Sequence, residues 1–285
     1  MQTLLTDREL LESLAGAVED NLRRHDEQVR DWEPHDYVPF ADGRNFAFLG
    51  GVDWDREQVG LSPVAAVSLT VSVLIADNLP SYHRELGRRL RTGPWWRWVG
   101  RWTAEENRHE ILIRNYLMVT RAVDPVELER ARMAHMTAGF RRPAIHLLDV
   151  LAQCAFEEAA SGIRHRNIAA LQENPAVTAI AERIAIDDEL QAEFFGNLVA
   201  AALDLVPDQT MRAIADRIAD FSVPALTLPD GRNSTEVLAE AGIYDPARTG
   251  ELVFGPLLER WNIFSRNDFG AVGEAARAEI GHLRS

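Results

Sequence analysis

Trp102-Thr-Ala-Glu-Glu-Asn-Arg-His109 is the stretch that decides the fold. It lies in a run with helical periodicity over about 94–121, preceded by Gly93-Pro94. Proline suits the first turn of a helix because its missing N–H has no partner to lose there. On such a helix Glu106 and His109 share one face. A carboxylate and an imidazole so placed, aimed into a bundle, form half of a carboxylate-bridged two-metal site. A single E-x-x-H motif is common by chance, so this prediction depends on partner residues elsewhere.

The partners occur at a repeated spacing. Position 76 lies 30 residues before Glu106, and Glu158 lies 30 residues before Asp188, which is followed three residues later by Gln191. The sets 76/106/109 and 158/188/191 are offset by 82 residues, and His83 and His165 match at the same offset. This pattern is typical of a duplicated helical hairpin. Such a duplication builds a four-helix core in which two helices supply Glu-x-x-His and two supply a single Glu. The departures are Ala76, Asp188 and Gln191.

Apolar periodicity and proline or glycine breaks divide the chain into helices. Long helices are predicted at about 62–92, 94–121, 142–172 and 175–204, and shorter ones near 3–24, 125–138, 206–220, 233–242, 247–261 and 269–283. The candidate positions fall near the middles of the long helices, so they can share one depth. We therefore predict an all-α, ferritin-like helical bundle with additional shorter helices. It should form one domain, 1–285, with its core at about 62–204 and no β-sheet beyond isolated pairs.

A segment without helical periodicity covers about 25–60. Prolines and glycines interrupt it, and its aromatic residues favour packing over disorder: they are Trp32, Tyr37, Phe40, Phe46, Phe48 and Trp54. Long loops of this kind are usually functional or cover a core.

Composition limits the classes of function. The net charge of −14 argues against general nucleic-acid binding, which needs a basic face. The single cysteine excludes an internal disulfide and fits a reducing compartment. No signal peptide is visible, and the most apolar run, about 61–76, is shorter than a membrane span. We therefore expect a cytoplasmic protein with no membrane span and no nucleic-acid partner.

The chain resembles the soluble acyl-[acyl-carrier-protein] desaturase family, and its mycobacterial-type members most closely. The matching motifs run through nearly the whole chain: they are Trp32-Glu-Pro-His-Asp-Tyr-Val-Pro39, Asp77-Asn-Leu-Pro-Ser-Tyr-His83, Trp102–His109, Phe156-Glu-Glu158 with His165-Arg-Asn167, and Asp204-Leu-Val-Pro-Asp208. The resemblance implies a homodimeric helical bundle in which two irons activate O₂ to desaturate an acyl chain on acyl carrier protein (ACP). Ferredoxin is the candidate electron donor.

Carried over by position, the family's six metal ligands fall at Ala76, Glu106, His109, Glu158, Asp188 and Gln191. The resemblance also implies roles for three further residues. Asp187 would be the acid that partners the histidine of the first motif, and Ser161 would be a hydroxyl near the O₂ pocket. Trp32 would lie on an electron route, although a tryptophan that only anchors the loop explains its presence equally well.

The ligand set is incomplete for two metals. Two Fe(II) ions bring four positive charges, whereas only the carboxylates of Glu106, Glu158 and Asp188 remain. Gln191 offers only a weak neutral ligand in place of an imidazole. One metal held by Glu106, His109, Glu158 and Asp188 remains feasible, so we expect one iron or fewer per chain. By internal symmetry Gln191 can instead donate its amide to Glu105, and a buried polar network without metal is also self-consistent.

A local basic cluster interleaves with tryptophans over 84–101. Its arginines are Arg84, Arg88, Arg89, Arg91, Arg97 and Arg101. Such a patch can steer acidic ACP to the protein. Intramolecular pairing with the many acidic residues is the alternative explanation.

Three functions fit the sequence. The first is an acyl-ACP desaturase-like oxidoreductase with a divergent metal site. The second is an enzyme that keeps the acyl cavity but performs non-oxidative chemistry there. The third is a non-catalytic ACP-binding subunit that pairs with an intact desaturase.

Overall fold

The computed structural model describes residues 4–139, 146–171, 173–228 and 230–283. In this part of the chain the only β-pairing is an isolated bridge between Thr227 and Asn233. The helices are α1 (Asp7–Gln28), α2 (Pro63–Ala76), α3 (Leu79–Arg89), α4 (Gly93–Val119), α5 (Pro125–Ala138), α6 (Leu147–Leu171), α7 (Pro175–Leu205), α8 (Pro207–Asp220), α9 (Ser234–Glu240), α10 (Gly255–Arg260) and α11 (Ala271–Glu279). The all-α prediction is confirmed.

Three helix starts share one local signal. Ser62, Asp124 and Asn174 each precede a proline, and the side chain of each accepts a hydrogen bond from a backbone N–H in the first turn of α2, α5 or α7. The capping oxygen satisfies a donor that has no partner within the helix, and proline has the right φ for the first helical position. Local sequence therefore fixes where these three helices begin.

The prediction of one continuous helix over 62–92 is wrong. The helix ends at Ala76, and a new helix, α3, begins at Leu79. Pro80 explains the break: within a continuous helix it could not donate to the carbonyl of Ala76, and its ring would clash with that carbonyl. Position 76 consequently lies at the end of a helix rather than near its middle.

The other predicted long helices correspond to α4, α6 and α7 within a few residues. Residues 142–145 and 172 of the predicted third helix, and residue 3 of the first, lie outside the described residues. Helix α1 continues to Gln28, and the helix predicted at 247–261 begins as a π-helical stretch, Gly250–Phe254, before α10.

The bundle is organised around α6 and α7, which form the most extensive helix pair. Helix α1 packs against α4 and α7, α2 packs against α4, and α8 packs against α6. Large side chains such as Trp98, Phe156 and Phe194 are fully buried between these helices. This packing brings the middles of α4, α6 and α7 together with the end of α2.

The segment between α1 and α2 forms four short 3-10 turns. Trp32 is buried, as the packing prediction requires, but Phe40 and Phe48 are largely exposed, so that prediction is wrong for them. Hydrophobic side chains in a loop pack only where the backbone brings them onto the bundle.

The segment Pro63–Arg89 is long and apolar enough for a membrane span by composition. However, 56% of its most apolar window is buried inside the protein, and the break after Ala76 interrupts it. Buried core helices commonly have this composition.

Candidate metal centre

Five of the six ligand positions line one cavity of about 120 Å³: they are Ala76, Glu106, His109, Glu158 and Asp188. Helices α2, α4, α6 and α7 each contribute to this set. Gln191 is fully buried on α7 but faces Glu105 rather than the cavity.

Three of these residues form a compact group. Glu106, His109 and Asp188 each offer a ligand atom, and these atoms all lie within 4.8 Å of one another. We call this group the ligand cluster. The Nδ1 atom of His109 is 3.4 Å from Glu106 Oε1 and 3.8 Å from Asp188 Oδ1. Glu106 Oε1 is buried and has no hydrogen-bond partner. A buried acceptor without a donor is costly, and a cation would satisfy it.

Asp187 orients His109. Its Oδ2 atom lies 3.2 Å from His109 Nε2 and also accepts a hydrogen bond from Trp32 Nε1 at 2.9 Å. Arg183 pairs with the other oxygen. With the Nε2 proton held by Asp187, the lone pair of Nδ1 faces the ligand cluster, as in metal sites whose histidines are held by a carboxylate. The expected contact between Asp187 and His109 is therefore present, and Trp32 belongs to the same network.

The negative charges around His109 affect its pKa more than its burial does. Burial alone would lower its pKa, but the carboxylates of Glu106, Asp187 and Asp188 together raise the pKa well above its usual value. Without a cation in the cluster, a proton on His109 offsets part of the negative charge. A bound metal ion and that proton would compete for the same atom.

Glu158 is set apart from the ligand cluster. It accepts a hydrogen bond from Trp102 Nε1 at 2.8 Å and is not one of the three residues within 4.8 Å. Burial and the neighbouring charges of Glu106 and Asp188 raise its pKa well above the usual value. Glu158 is thus a cavity-facing carboxyl that readily holds a proton.

Two of the three departures from the family pattern, Ala76 and Gln191, each remove one ligand. Ala76 has no donor atom. Gln191 donates its amide to Glu105 Oε2 at 3.2 Å, as internal symmetry predicts. Glu105 also receives hydrogen bonds from His25 at 2.9 Å and Arg101 at 2.6 Å. The donor set of the described residues therefore fits one metal ion at the ligand cluster and does not complete a second coordination sphere.

Two residues of α6 that sequence reasoning left without a role also reach the cavity. His165 Nδ1 is 2.7 Å from Asp188 Oδ2, and its Nε2 is 3.2 Å from Ser72 Oγ. Arg164 donates to Ser161 Oγ at 3.0 Å. The repeat had already marked His165 as the counterpart of His83, and that signal could have identified it.

The cavity has an apolar wall and leads toward the surface near α3 and the segment after α8. Its apolar lining includes Ile75, Leu79, Leu86, Ile113, Val150 and Val223. Arg89 and Glu85 of α3 also line it. A chain-like apolar ligand could therefore extend from α3 to the ligand cluster.

The arginines of 84–101 are mostly paired within the protein. Arg88 lies 3.3 Å from Glu85, Arg89 lies 3.7 Å from Asp7, and Arg97 pairs with Glu19. Arg88 and Arg97 nevertheless remain more than half exposed. Such exposed pairs are weak, so they leave these arginines available to a partner.

Comparison with known proteins identifies relatives over nearly the whole chain. The family model described as fatty acid desaturase matches residues 6–285. The chain is 40% identical over 289 residues to DesA1 of Mycobacterium tuberculosis, which is named as an acyl-[acyl-carrier-protein] desaturase; the match covers 98% of this chain and 86% of DesA1. It is 28% identical to the chloroplastic stearoyl-[acyl-carrier-protein] 9-desaturase 1 of Arabidopsis thaliana, over 94% of this chain and 73% of that protein.

A crystal structure shows the same fold. DesA2 of Mycobacterium tuberculosis H37Rv superposes with a TM-score of 0.77 at 33% identity, over 97% of this chain and 100% of that one. This likeness confirms the predicted ferritin-like bundle. The chain therefore belongs to the acyl-[acyl-carrier-protein] desaturase family.

Proposed function

We propose that this protein is an oxidoreductase that acts on an acyl chain attached to ACP, with a single iron held by the ligand cluster. The observation that carries the proposal is the cavity itself, because an apolar wall and the ligand cluster line the same cavity. An acyl chain bound along that wall lies next to the ligand cluster. The relatives named as acyl-ACP desaturases support the same substrate class.

Iron, when bound, supplies the redox and O₂ chemistry that amino-acid side chains lack. The residues of the chain prepare the site for it. Asp187 keeps the Nε2 proton of His109 and turns Nδ1 toward the ligand cluster. Glu158 holds a proton at the cavity wall because burial and the neighbouring carboxylates raise its pKa.

The proposed metal content is at most about one ion per chain. Glu106, His109 and Asp188 supply two negative charges and one imidazole, which suit a single divalent ion. A second ion would depend on Glu158 and on ligands shared with the first. Ala76 and the amide of Gln191, which is turned toward Glu105, add nothing to it.

Elemental analysis of protein expressed with excess iron tests this proposal. Wild type should carry about one iron per chain, and Asp188→Asn should lose it. Glu189→Gln is the matched control, because Glu189 is the next residue and pairs with Arg166 at the surface. No iron in wild type, or equal iron in both variants, would contradict the proposal.

The partners belong to the same proposal. Acidic ACP would dock near α3, where the exposed Arg88 flanks the region lined by Glu85 and Arg89. We further propose that the protein is a cytoplasmic homodimer with ferredoxin as electron donor, as its family membership suggests. Size-exclusion chromatography with light scattering measures the oligomeric state directly.

A metal-free role is the second candidate. The network around Glu105 favours it, because Gln191, His25 and Arg101 satisfy this carboxylate without any cation. In this case the protein would bind acyl-ACP without oxidising it, either for non-oxidative chemistry or as the partner of an intact desaturase. Iron-free wild type that co-purifies with such a homologue would favour the partner role.

A further inference from the structure

Arg164 is a buried arginine that lines the same cavity. It lies on α6 directly before His165, and only 7% of its surface is exposed. A guanidinium carries five N–H donors and stays charged in proteins. Burying such a group is costly unless acceptors and a counter-charge surround it.

The partners of Arg164 are too few for this requirement. One terminal nitrogen donates to Ser161 Oγ at 3.0 Å, and Ser161 is neutral. The buried Nε has no hydrogen-bond partner. Among the described residues, no carboxylate forms an ion pair with this guanidinium. Burial accordingly lowers the pKa of Arg164, even though Asp188 and Glu106 act in the opposite direction.

The nearby carboxylates already have closer partners. Asp188 Oδ2 is 2.7 Å from His165 Nδ1, and the nearest charged partner of Glu106 Oε1 is His109 Nδ1, at 3.4 Å and without a hydrogen bond. Neither acid therefore neutralises Arg164 directly. The guanidinium of Arg164 is therefore a positive charge at the cavity wall, and some of its N–H donors are not used in hydrogen bonds.

We propose that Arg164 binds the carboxylate of a ligand whose apolar chain occupies the cavity. Arginine matches a carboxylate with two parallel N–H···O bonds, which adds both energy and orientation. Leu79, Ile113 and Val223 provide the apolar contacts for the chain. The carboxylate has two candidate sources, namely the far end of a carrier-tethered chain or the head of a free fatty acid. The inference rests on the proposed use of the cavity for acyl chains.

Calorimetric titration with three ligands of equal chain length tests whether Arg164 binds a carboxylate, and it requires no iron, carrier protein or electron donor. The ligands are decanoate, methyl decanoate and monomethyl decanedioate. Wild type should bind the better of the two acids about tenfold more tightly than methyl decanoate, the size expected for hydrogen bonds to a charged group. Arg164→Met should lose this preference while still binding the ester. Arg166→Met is the control, since Arg166 lies two residues away and pairs with Glu189 at the surface.

The outcomes are distinguishable. Tighter binding of monomethyl decanedioate than of decanoate assigns the tethered source, and the reverse assigns the free acid. Equal binding of acids and ester by wild type overturns the role of Arg164 but leaves the acyl cavity intact. No binding of any ligand removes the acyl cavity itself, and the proposed function with it. If Arg164→Met does not fold by circular dichroism, Arg164→Lys decides: it keeps the charge without the paired donors, so a preference as strong as in wild type would contradict the proposal.

Discussion

Asp188 and His165 are joined across α6 and α7 by a 2.7 Å contact between Oδ2 and Nδ1. The other oxygen of Asp188 faces His109 at 3.8 Å. Asp188 is therefore shared between a structural contact and the ligand cluster. Burial would raise the pKa of Asp188, which is 1% exposed, but its contacts with His165 and His109 lower that pKa below its usual value.

His165→Leu should destabilise the protein. The substitution removes the donor to Asp188 and leaves a buried carboxylate with one fewer partner, which typically costs about 3 kcal/mol. His83→Leu is the control, because His83 is the counterpart in the repeat and lies half-buried, where its Nδ1 is 2.8 Å from the Thr103 hydroxyl and its ring packs edge-on against Trp96. Among the described residues, His83 forms no ion pair with a carboxylate. Loss of the hydrogen bond between His83 and Thr103 should lower the free energy of unfolding by about 1 kcal/mol. Urea unfolding measures the free energy of unfolding of both variants. Equal losses would mean that the contact between His165 and Asp188 does not stabilise the protein more than an ordinary hydrogen bond.

Glu158→Gln should raise the stability of the iron-free protein at neutral pH. The pKa of Glu158 is raised in the folded state, so the folded protein binds a proton that the unfolded chain releases above its ordinary value of 4.5. Stability is thus lost as the pH rises from that value through the folded pKa. The difference in free energy of unfolding between the variant and wild type should shrink toward zero below about pH 4.5, where Glu158 is protonated in both the folded and the unfolded protein. Glu182→Gln, on the exposed face of α7, is the surface control for the same charge change in denaturant titrations.

The triple variant Ala76→Glu, Asp188→Glu and Gln191→His should raise iron content toward two per chain. Each change alone should do little, because one added ligand leaves the second coordination sphere incomplete, and residues of one site act non-additively. The glutamate at 76 needs room at the end of α2, and overpacking costs about 1–3 kcal/mol. Elemental analysis gives the result. A folded triple variant with wild-type iron content would show that the core no longer accommodates a second ion.

Trp32→Phe should weaken metal binding by about tenfold, the lower end of what loss of a group behind a ligand costs. The substitution removes the 2.9 Å hydrogen bond to Asp187, which holds His109 in place. Chelator competition measures the affinity. Trp54→Phe breaks a comparable bond to the Arg121 carbonyl, at 3.0 Å and away from the site, and should leave the affinity unchanged. Equal affinities in both variants would exclude this role of Trp32.

Arg88→Ala combined with Arg91→Ala should weaken ACP binding, more at low salt, where screening is smaller. Both side chains are exposed, and Arg88 has only a surface contact to Glu85. The control removes two other exposed arginines, Arg232 and Arg248, which also pair at the surface. Both double variants lose the same net charge, so only a difference between them assigns docking to α3. Binding to immobilised ACP over a salt series provides the measurement.

Predictions from local sequence were correct for features that depend only on the geometry of a single helix. Glu106 and His109 share a face because they are three residues apart on α4, and capping residues followed by proline fixed the starts of α2, α5 and α7. Among the helix predictions, the continuous helix over 62–92 is wrong, because Pro80 breaks a run in which apolar periodicity continues on both sides of it.

The sequence by itself determined the helical class and proposed the repeat spacing and the candidate ligand positions, because helical periodicity and repeat spacing are local or one-dimensional properties. Only the tertiary structure decided which side chains of different helices contact one another. The rotation of α6 against α7 brings His165 to Asp188, turns Glu158 toward Trp102 and leaves Arg164 facing the cavity. Such contacts depend on side-chain reach and helix packing at the ångström scale, which residue spacing along the chain does not specify.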